Sequence, residues 1–195
     1  MKQPRYEEVA PGVFTLRLYS PARCASILSR VRTLRGWSKA QVRLETRNGT
    51  HRVITNSSAR SASILTSRTG MQICDNFERR VDRFVRPLIK KVWQIDLKEI
   101  IGTQLVRYPS GGYYLEHTDA GDDLAERYLS IVCYLNDNFQ GGHTFFPSFQ
   151  SSISPTSGKA LIFPSRYLHR ADPILSGEKY VLITWMCGPV AIRWI

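Results

Sequence analysis

The chain has 195 residues, 43% apolar and 22% charged, an ordinary globular balance with enough length for a full hydrophobic core and one expected domain. It has no apolar run near the roughly 18 residues that cross a bilayer, and the polar start Met1-Lys-Gln-Pro-Arg-Tyr-Glu-Glu8 is unlike a signal peptide, so a soluble, cytoplasmic protein without a membrane partner is expected. The formal net charge of +11 is lopsided, with 20 Lys and Arg against 8 Asp and Glu in residues 1–100 and 7 against 8 in residues 101–195.

Ser20-Pro21 reads as a helix start, with Ser as N-cap and Pro at the first helical position. Cys24, Ile27, Leu28, Val31 and Leu34 then recur at helical spacing up to Gly36, which predicts an amphipathic helix of about four turns. Residues 37–44 predict a strand, and Arg47-Asn-Gly49 a turn. The Ser-, Thr- and Arg-rich stretch 54–69 is open to two readings, a disordered linker or a loop at the mouth of a site. Asp75-x-x-Glu78 resembles a capping box, and Phe77, Val81, Phe84, Leu88 and Val92 follow at steps of three and four. A second helix is predicted from Asp75 or Asn76, kinked at Pro87.

From Ile101 the period shortens to two. Residues 104–108, 113–117, 128–135, 143–146, 159–163 and 179–186 read as short strands separated by turn-rich segments, the pattern of a sandwich or jelly roll. The expected fold is mainly β with flanking helices: a double-stranded β-helix (jelly roll) core over 101–195, packed against helical and strand support from 1–100. The four cysteines, Cys24, Cys74, Cys133 and Cys187, are widely spaced without a Cys-x-x-Cys, so they are expected as reduced core residues. The basic excess of the N-terminal half marks either a face for an acidic or phosphate-bearing partner or a well-solvated surface. Scattered arginines without interleaved aromatics favour the second.

His117 and Asp119 lie two apart, so extended geometry would turn both side chains to one face. A metal needs a third ligand, and His169 in Tyr167-Leu-His169 offers one. Two histidines and a carboxylate on one face of Fe(II) leave the opposite positions open to substrate and oxygen. A His-x-Asp pair alone serves equally as a structural polar contact or a loop cap. Lys179 shares a predicted strand face with Val181, Ile183 and Trp185. Burying an unpaired ammonium is costly, so either a ligand carboxylate answers it or it sits at the strand end and reaches water.

These residues resemble the Fe(II)/2-oxoglutarate-dependent dioxygenase superfamily, and within it the prolyl 4-hydroxylase-like branch. The likeness is strongest over Gln104-Leu-Val-Arg-Tyr-Pro-Ser-Gly-Gly-Tyr-Tyr-Leu-Glu-His-Thr-Asp119, Tyr134-Leu-Asn-Asp137, Gly141-Gly-His-Thr-Phe-Phe-Pro147, Gly158-Lys-Ala-Leu-Ile-Phe-Pro164 and His169 through Trp185. The resemblance implies His117, Asp119 and His169 as catalytic iron ligands, and Tyr108, Thr144 and Lys179 as the groups that hold the far carboxylate of 2-oxoglutarate. It also implies Trp185 beside that co-substrate, and Tyr114 and Arg127 close to the substrate. The cofactors implied are Fe(II), 2-oxoglutarate and O2, with ascorbate as an assay additive. The implied reaction hydroxylates an unactivated C–H bond and releases succinate and CO2. Its expected substrate is a proline or another amino-acid-like, peptidyl or natural-product molecule.

Three departures fall on the substrate side. His143 stands where many relatives have Glu in Gly-Gly-Glu-Thr, Cys187 stands where collagen-type enzymes tend to have a histidine, and the Asp119-to-Arg127 connection is short. His143 is expected as a substrate-side or surface residue and not as a fourth ligand. Two other readings remain. A nucleic-acid oxidative dealkylase suits the basic N-terminal half but lacks the arginine-rich signature after the distal His. A non-catalytic jelly-roll or cupin-like metal module has no need of Tyr108, Thr144 and Lys179 together.

Overall fold

The computed structural model describes residues 5–45, 51–121 and 127–188. In chain order the elements are β1 (Tyr6–Ala10), β2 (Val13–Arg17), α1 (Pro21–Val31), β3 (Trp37–Lys39), β4 (Val42–Glu45), β5 (His51–Ile54), β6 (Arg60–Ser61), β7 (Ser63–Leu65), α2 (Arg68–Arg80), a π-helical turn (Val81–Val85) and α3 (Arg86–Trp93). There follow β8 (Glu99–Tyr108), β9 (Tyr113–His117), β10 (Arg127–Tyr134), β11 (Gln140–Gly141), β12 (Thr144–Phe146), a 3-10 turn (Pro147–Phe149), β13 (Ser151–Ile153), β14 (Lys159–Pro164), β15 (His169–Ala171), β16 (Ile174–Ser176) and β17 (Lys179–Cys187).

Two antiparallel sheets make the roll. The larger has the order β1-β2-β14-β10-β17-β8-β7-β3, the smaller β13-β12-β15-β9-β6. Period-2 geometry divides the side chains of the central strands between two cores. Leu129, Ile131 and Cys133 of β10, with Leu105 of β8 and Leu182 of β17, pack with Ile27 and Leu28 of α1 and Phe77 of α2. Tyr134, Val181, Leu161 and Phe163 face the other way and meet Phe146 of the smaller sheet. The helices therefore cover the back of the larger sheet, and its front is left to line the interior of the roll. This is the jelly roll with helical support that the strand pattern predicts.

The first helix starts as expected: the Ser20 side chain accepts from the Arg23 amide at 3.2 Å, with Pro21 following. It stops at Val31, one turn early. Arg32, Thr33 and Arg35 interrupt the apolar stripe, and Gly36 at φ +95 redirects the chain into β3. The second helix begins earlier than predicted, capped by Ser67 and not by Asp75. Gly70 makes that first turn look non-helical in sequence, yet only glycine fits there, because a Cβ would lie 2.9 Å from Leu65 Cγ. The kink predicted at Pro87 takes the form of the π-helical turn just before it, where the Arg86 amide reaches back to the Val81 carbonyl. A proline ring crowds the preceding turn and offers no N–H, and one extra residue in the turn accommodates both.

The single strand predicted over residues 37–44 is two. β3 pairs with β7 in the larger sheet, and β4 pairs with β5 as a separate ribbon. The turn predicted at 47–49 lies outside the described residues. Stretch 54–69 is neither linker nor plain loop, since it contributes β6 to the smaller sheet and β7 to the larger. No described helix is long and apolar enough to cross a membrane. The four cysteines are free and buried, as expected.

Candidate active site

Between the sheets lies a cavity of about 460 Å3 whose lining includes His117, Asp119, His169, Tyr108, Thr144, Lys179, Trp185, Tyr114 and Arg127. Every candidate site residue named from the sequence thus reaches one space. His117 and His169 come together because β9 and β15 are antiparallel neighbours that pair these two residues directly. Asp119 is brought in just past β9, where its amide donates to the Ser165 carbonyl at 2.8 Å.

One ligand atom from each of His117, Asp119 and His169 lies within 4.8 Å of the others, close enough to share an ion. His117 Nε2 is 3.6 Å from one Asp119 oxygen and His169 Nε2 3.7 Å from the other. The remaining ring nitrogens are engaged locally. His117 Nδ1 sits 2.7 Å from the Leu115 carbonyl, and His169 Nδ1 2.9 Å from the Tyr167 carbonyl. A carbonyl can only accept, so each Nδ1 carries a proton, and in the neutral ring Nε2 is then left with a lone pair toward Asp119, the tautomer a metal requires. Burial lowers the His169 pKa to about 4, which keeps its imidazole neutral at physiological pH. Burial works against ionisation of the Asp119 carboxyl, but the group lies below the ordinary carboxylate range, favoured by His169 and His117 in their protonated forms and by the Ser130 hydroxyl.

Ser130 is a site residue the sequence reading missed. Its Oγ donates to Asp119 Oδ2 at 2.6 Å and lies 2.9 Å from Ser165 Oγ. A signal was there to be read: a serine between Leu129 and Ile131 on an apolar strand must face the opposite way from both.

Deeper in the roll, Lys179, Val181, Ile183 and Trp185 all line the cavity, as the strand period predicts. Lys179 is 2% exposed, its Nζ donates to the Gly142 carbonyl at 2.6 Å, and it lies near the rings of Tyr108 and Tyr134. No carboxylate among the described residues lies within ion-pair distance of it, and burial lowers its pKa to about 7. Thr144 Oγ1 is 2.7 Å from the Tyr134 hydroxyl, which adds Tyr134 to the polar groups at this end.

At the other end Tyr114 stacks on His117, with ring centroids 3.5 Å apart, and the Arg127 guanidinium lies 3.9 Å above the Trp185 ring. Arg127 also donates to the Asp119 carbonyl at 3.4 Å. His143 is half-buried and stands outside the His117, Asp119 and His169 group; its carbonyl accepts from the Asp172 amide. Cys187 is buried at the end of β17 and does not line the cavity. Residues 122–126, in the short connection, lie outside the described residues.

Residues 103–187 match the sequence pattern of the 2OG-Fe(II) oxygenase superfamily. Over that segment the chain is similar to members of the superfamily. A protein of Acanthamoeba polyphaga mimivirus named putative prolyl 4-hydroxylase is 29% identical over 125 residues, which cover 52% of each chain. A PKHD-type hydroxylase of Prochlorococcus marinus is 32% identical over 94 residues, 46% of this chain and 42% of its own. The chain thus spans about half the length of the curated relatives it matches. Among solved structures, a Trichoplax adhaerens prolyl hydroxylase in complex with a hypoxia inducible factor peptide superposes with a TM-score of 0.71 at 17% identity, over 90% of this chain and 83% of its own. That likeness establishes the fold.

The superfamily's name implies Fe(II) and 2-oxoglutarate, and the donor set fits both. Two imidazoles and one carboxylate suit Fe(II) with open positions left over. The buried Lys179 ammonium is the partner that a dicarboxylate's far end needs.

Proposed function

We propose that the protein is an Fe(II)- and 2-oxoglutarate-dependent dioxygenase that hydroxylates an unactivated C–H bond of an amino-acid-like substrate, free, peptidyl or part of a natural product. One observation carries this reading: a buried ammonium with no ion-paired carboxylate among the described residues shares a cavity with a His-Asp-His cluster. When bound, Fe(II) with 2-oxoglutarate and O2 supplies the oxidising power, and the co-substrate leaves as succinate and CO2.

The chain's own contribution is positional. His117, Asp119 and His169 hold the metal, with Ser130 fixing the Asp119 carboxylate and strand carbonyls fixing the two imidazoles. Lys179 anchors the far carboxylate of 2-oxoglutarate with help from Tyr108 and Thr144, while Val181 and Ile183 wall that space and Trp185 lies further along β17, under Arg127. Tyr114 and Arg127 border the substrate's side. The names of the relatives support proline or a peptide as the substrate class.

Purified protein supplied with Fe(II), ascorbate and 2-oxoglutarate is expected to release succinate slowly alone and faster with substrate. Absence of both turnover and anaerobic 2-oxoglutarate binding would overturn the reading.

A further inference from the structure

Arg60 lines the cavity and the proposed reaction leaves its charge unused. It comes from β6, in the Ser-rich stretch of the N-terminal half, and pairs across the smaller sheet with Tyr114. Its side chain is 8% exposed and lines the cavity. The guanidinium lies 4.7 Å over the Tyr114 ring, and Tyr114 in turn lies against His117. Of its five N–H donors, one reaches the Gln41 carbonyl at 3.1 Å, and Nε is buried with no partner. No carboxylate among the described residues pairs with it. Arg170, which lines the same cavity, is in contrast answered by Glu116 at 2.8 Å and Asp172 at 2.7 Å.

A buried guanidinium with unfilled donors is costly unless an anion meets it. The proposed cofactor set does not supply one. The charges of a metal dication, a dianionic keto acid, the Asp119 carboxylate and the Lys179 ammonium balance among themselves, and Lys179 takes the keto acid's far end. Among the described residues and the proposed cofactors nothing answers Arg60, which leaves that part to the substrate. The same cavity is lined in part by the apolar Val42, Val53 and Ile64. That combination suits a hydrocarbon body carrying a carboxylate.

On the basis of the proposed activity, we infer that the substrate carries a carboxylate and that Arg60 binds it, which makes Arg60 a specificity-determining residue. A neutral residue inside a peptide chain lacks the group that Arg60 requires. The carboxylate can come from a free amino acid or from the C-terminal residue of a peptide. A planar guanidinium meets either one by paired hydrogen bonds, which a carboxamide cannot reproduce.

The test uses protein loaded anaerobically with Fe(II) and 2-oxoglutarate and titrated calorimetrically, so that binding is read without turnover. Probes are matched acid and amide pairs of proline, valine, leucine and lysine, each free and as the last residue of a tripeptide. At least one acid is expected to bind tenfold or more tightly than its amide, and the free and tripeptide arms identify the source. Arg60→Gln should erase the preference, and Arg60→Lys should retain part of it, while 2-oxoglutarate affinity stays within twofold in both. A merely structural role for Arg60 would weaken acid and amide alike. Equal binding of every pair by the wild type, an acid preference that survives Arg60→Gln, or a loss of 2-oxoglutarate affinity in the variants would each overturn the inference. Failure of the wild type to bind 2-oxoglutarate would instead count against the proposed reaction itself.

Discussion

The Nζ of Lys179 donates to the carbonyl oxygen of Gly142 at 2.6 Å, and this is its one hydrogen bond among the described residues. Two of its three donors are left for a ligand. Replacing Lys179 by Met keeps the length and removes the charge, so stability and binding should move in opposite directions. The ligand-free variant is expected to melt higher than the wild type, because a buried charge has gone. Its 2-oxoglutarate dissociation constant should rise about a hundredfold, roughly 3 kcal/mol, because a dicarboxylate then meets no ammonium. Thermal melts and anaerobic titration check the two halves, and an unchanged affinity would remove Lys179 from the co-substrate site.

The same burial sets a pH dependence. Lys179 has a folded pKa of about 7 against an ordinary value of 10.5. Below pH 7 it is charged in both states, and the cost of burying that charge is fully felt. Between pH 7 and 10.5 the unfolded chain holds the proton and the folded chain does not, so this residue's contribution to stability improves as pH rises. The gain is on the order of a few kcal/mol. Urea midpoints of wild type and Lys179→Met at pH 6, 8 and 9.5 should therefore converge as pH rises. A constant gap between them would show that Lys179 stays charged throughout.

How much of this was legible in the sequence follows from which forces are local. His117 and Asp119, two apart beside a strand, and the face shared by Lys179, Val181, Ile183 and Trp185 follow from strand period, which needs no tertiary knowledge. The meeting of His117 with His169 is set by the pairing of β9 with β15, and no local pattern encodes which strands become neighbours; only the family resemblance supplied it. Arg60 was missed for a similar reason. A two-residue strand in a Ser- and Arg-rich stretch has no period to read, and its burial depends on Tyr114, which comes from far along the chain. The early start of α2 was hidden by Gly70, whose low helix propensity is overridden by close packing on Leu65.

Ser130 is predicted to act through Asp119. Removing its hydroxyl with Ser130→Ala leaves one carboxylate oxygen without its 2.6 Å donor and frees the carboxylate to rotate. Metal affinity should fall about tenfold, the lower end of what such supporting partners contribute. The fold should survive, because Ser165 remains nearby. A competition titration with a metal-binding dye checks this, and unchanged affinity would make the Ser130 contact incidental.

Metal binding itself should be visible as stability. A ligand present at a hundred times its dissociation constant stabilises the folded state by about 2.7 kcal/mol, which for a chain of this size is a rise in Tm of roughly 5–10 °C. Co(II) or Mn(II), which survive in air, are expected to give such a rise in the wild type, and a chelator should reverse it. In His169→Ala the cluster keeps one imidazole and one carboxylate, too few to hold the ion against water, so the metal-induced rise should vanish. The melting point of the metal-free variant, recorded alongside, separates loss of the ligand from loss of packing beside Phe146 and Phe163. A rise of equal size in His169→Ala would mean that the ion is held elsewhere, and the site built from His117, Asp119 and His169 would have to be abandoned.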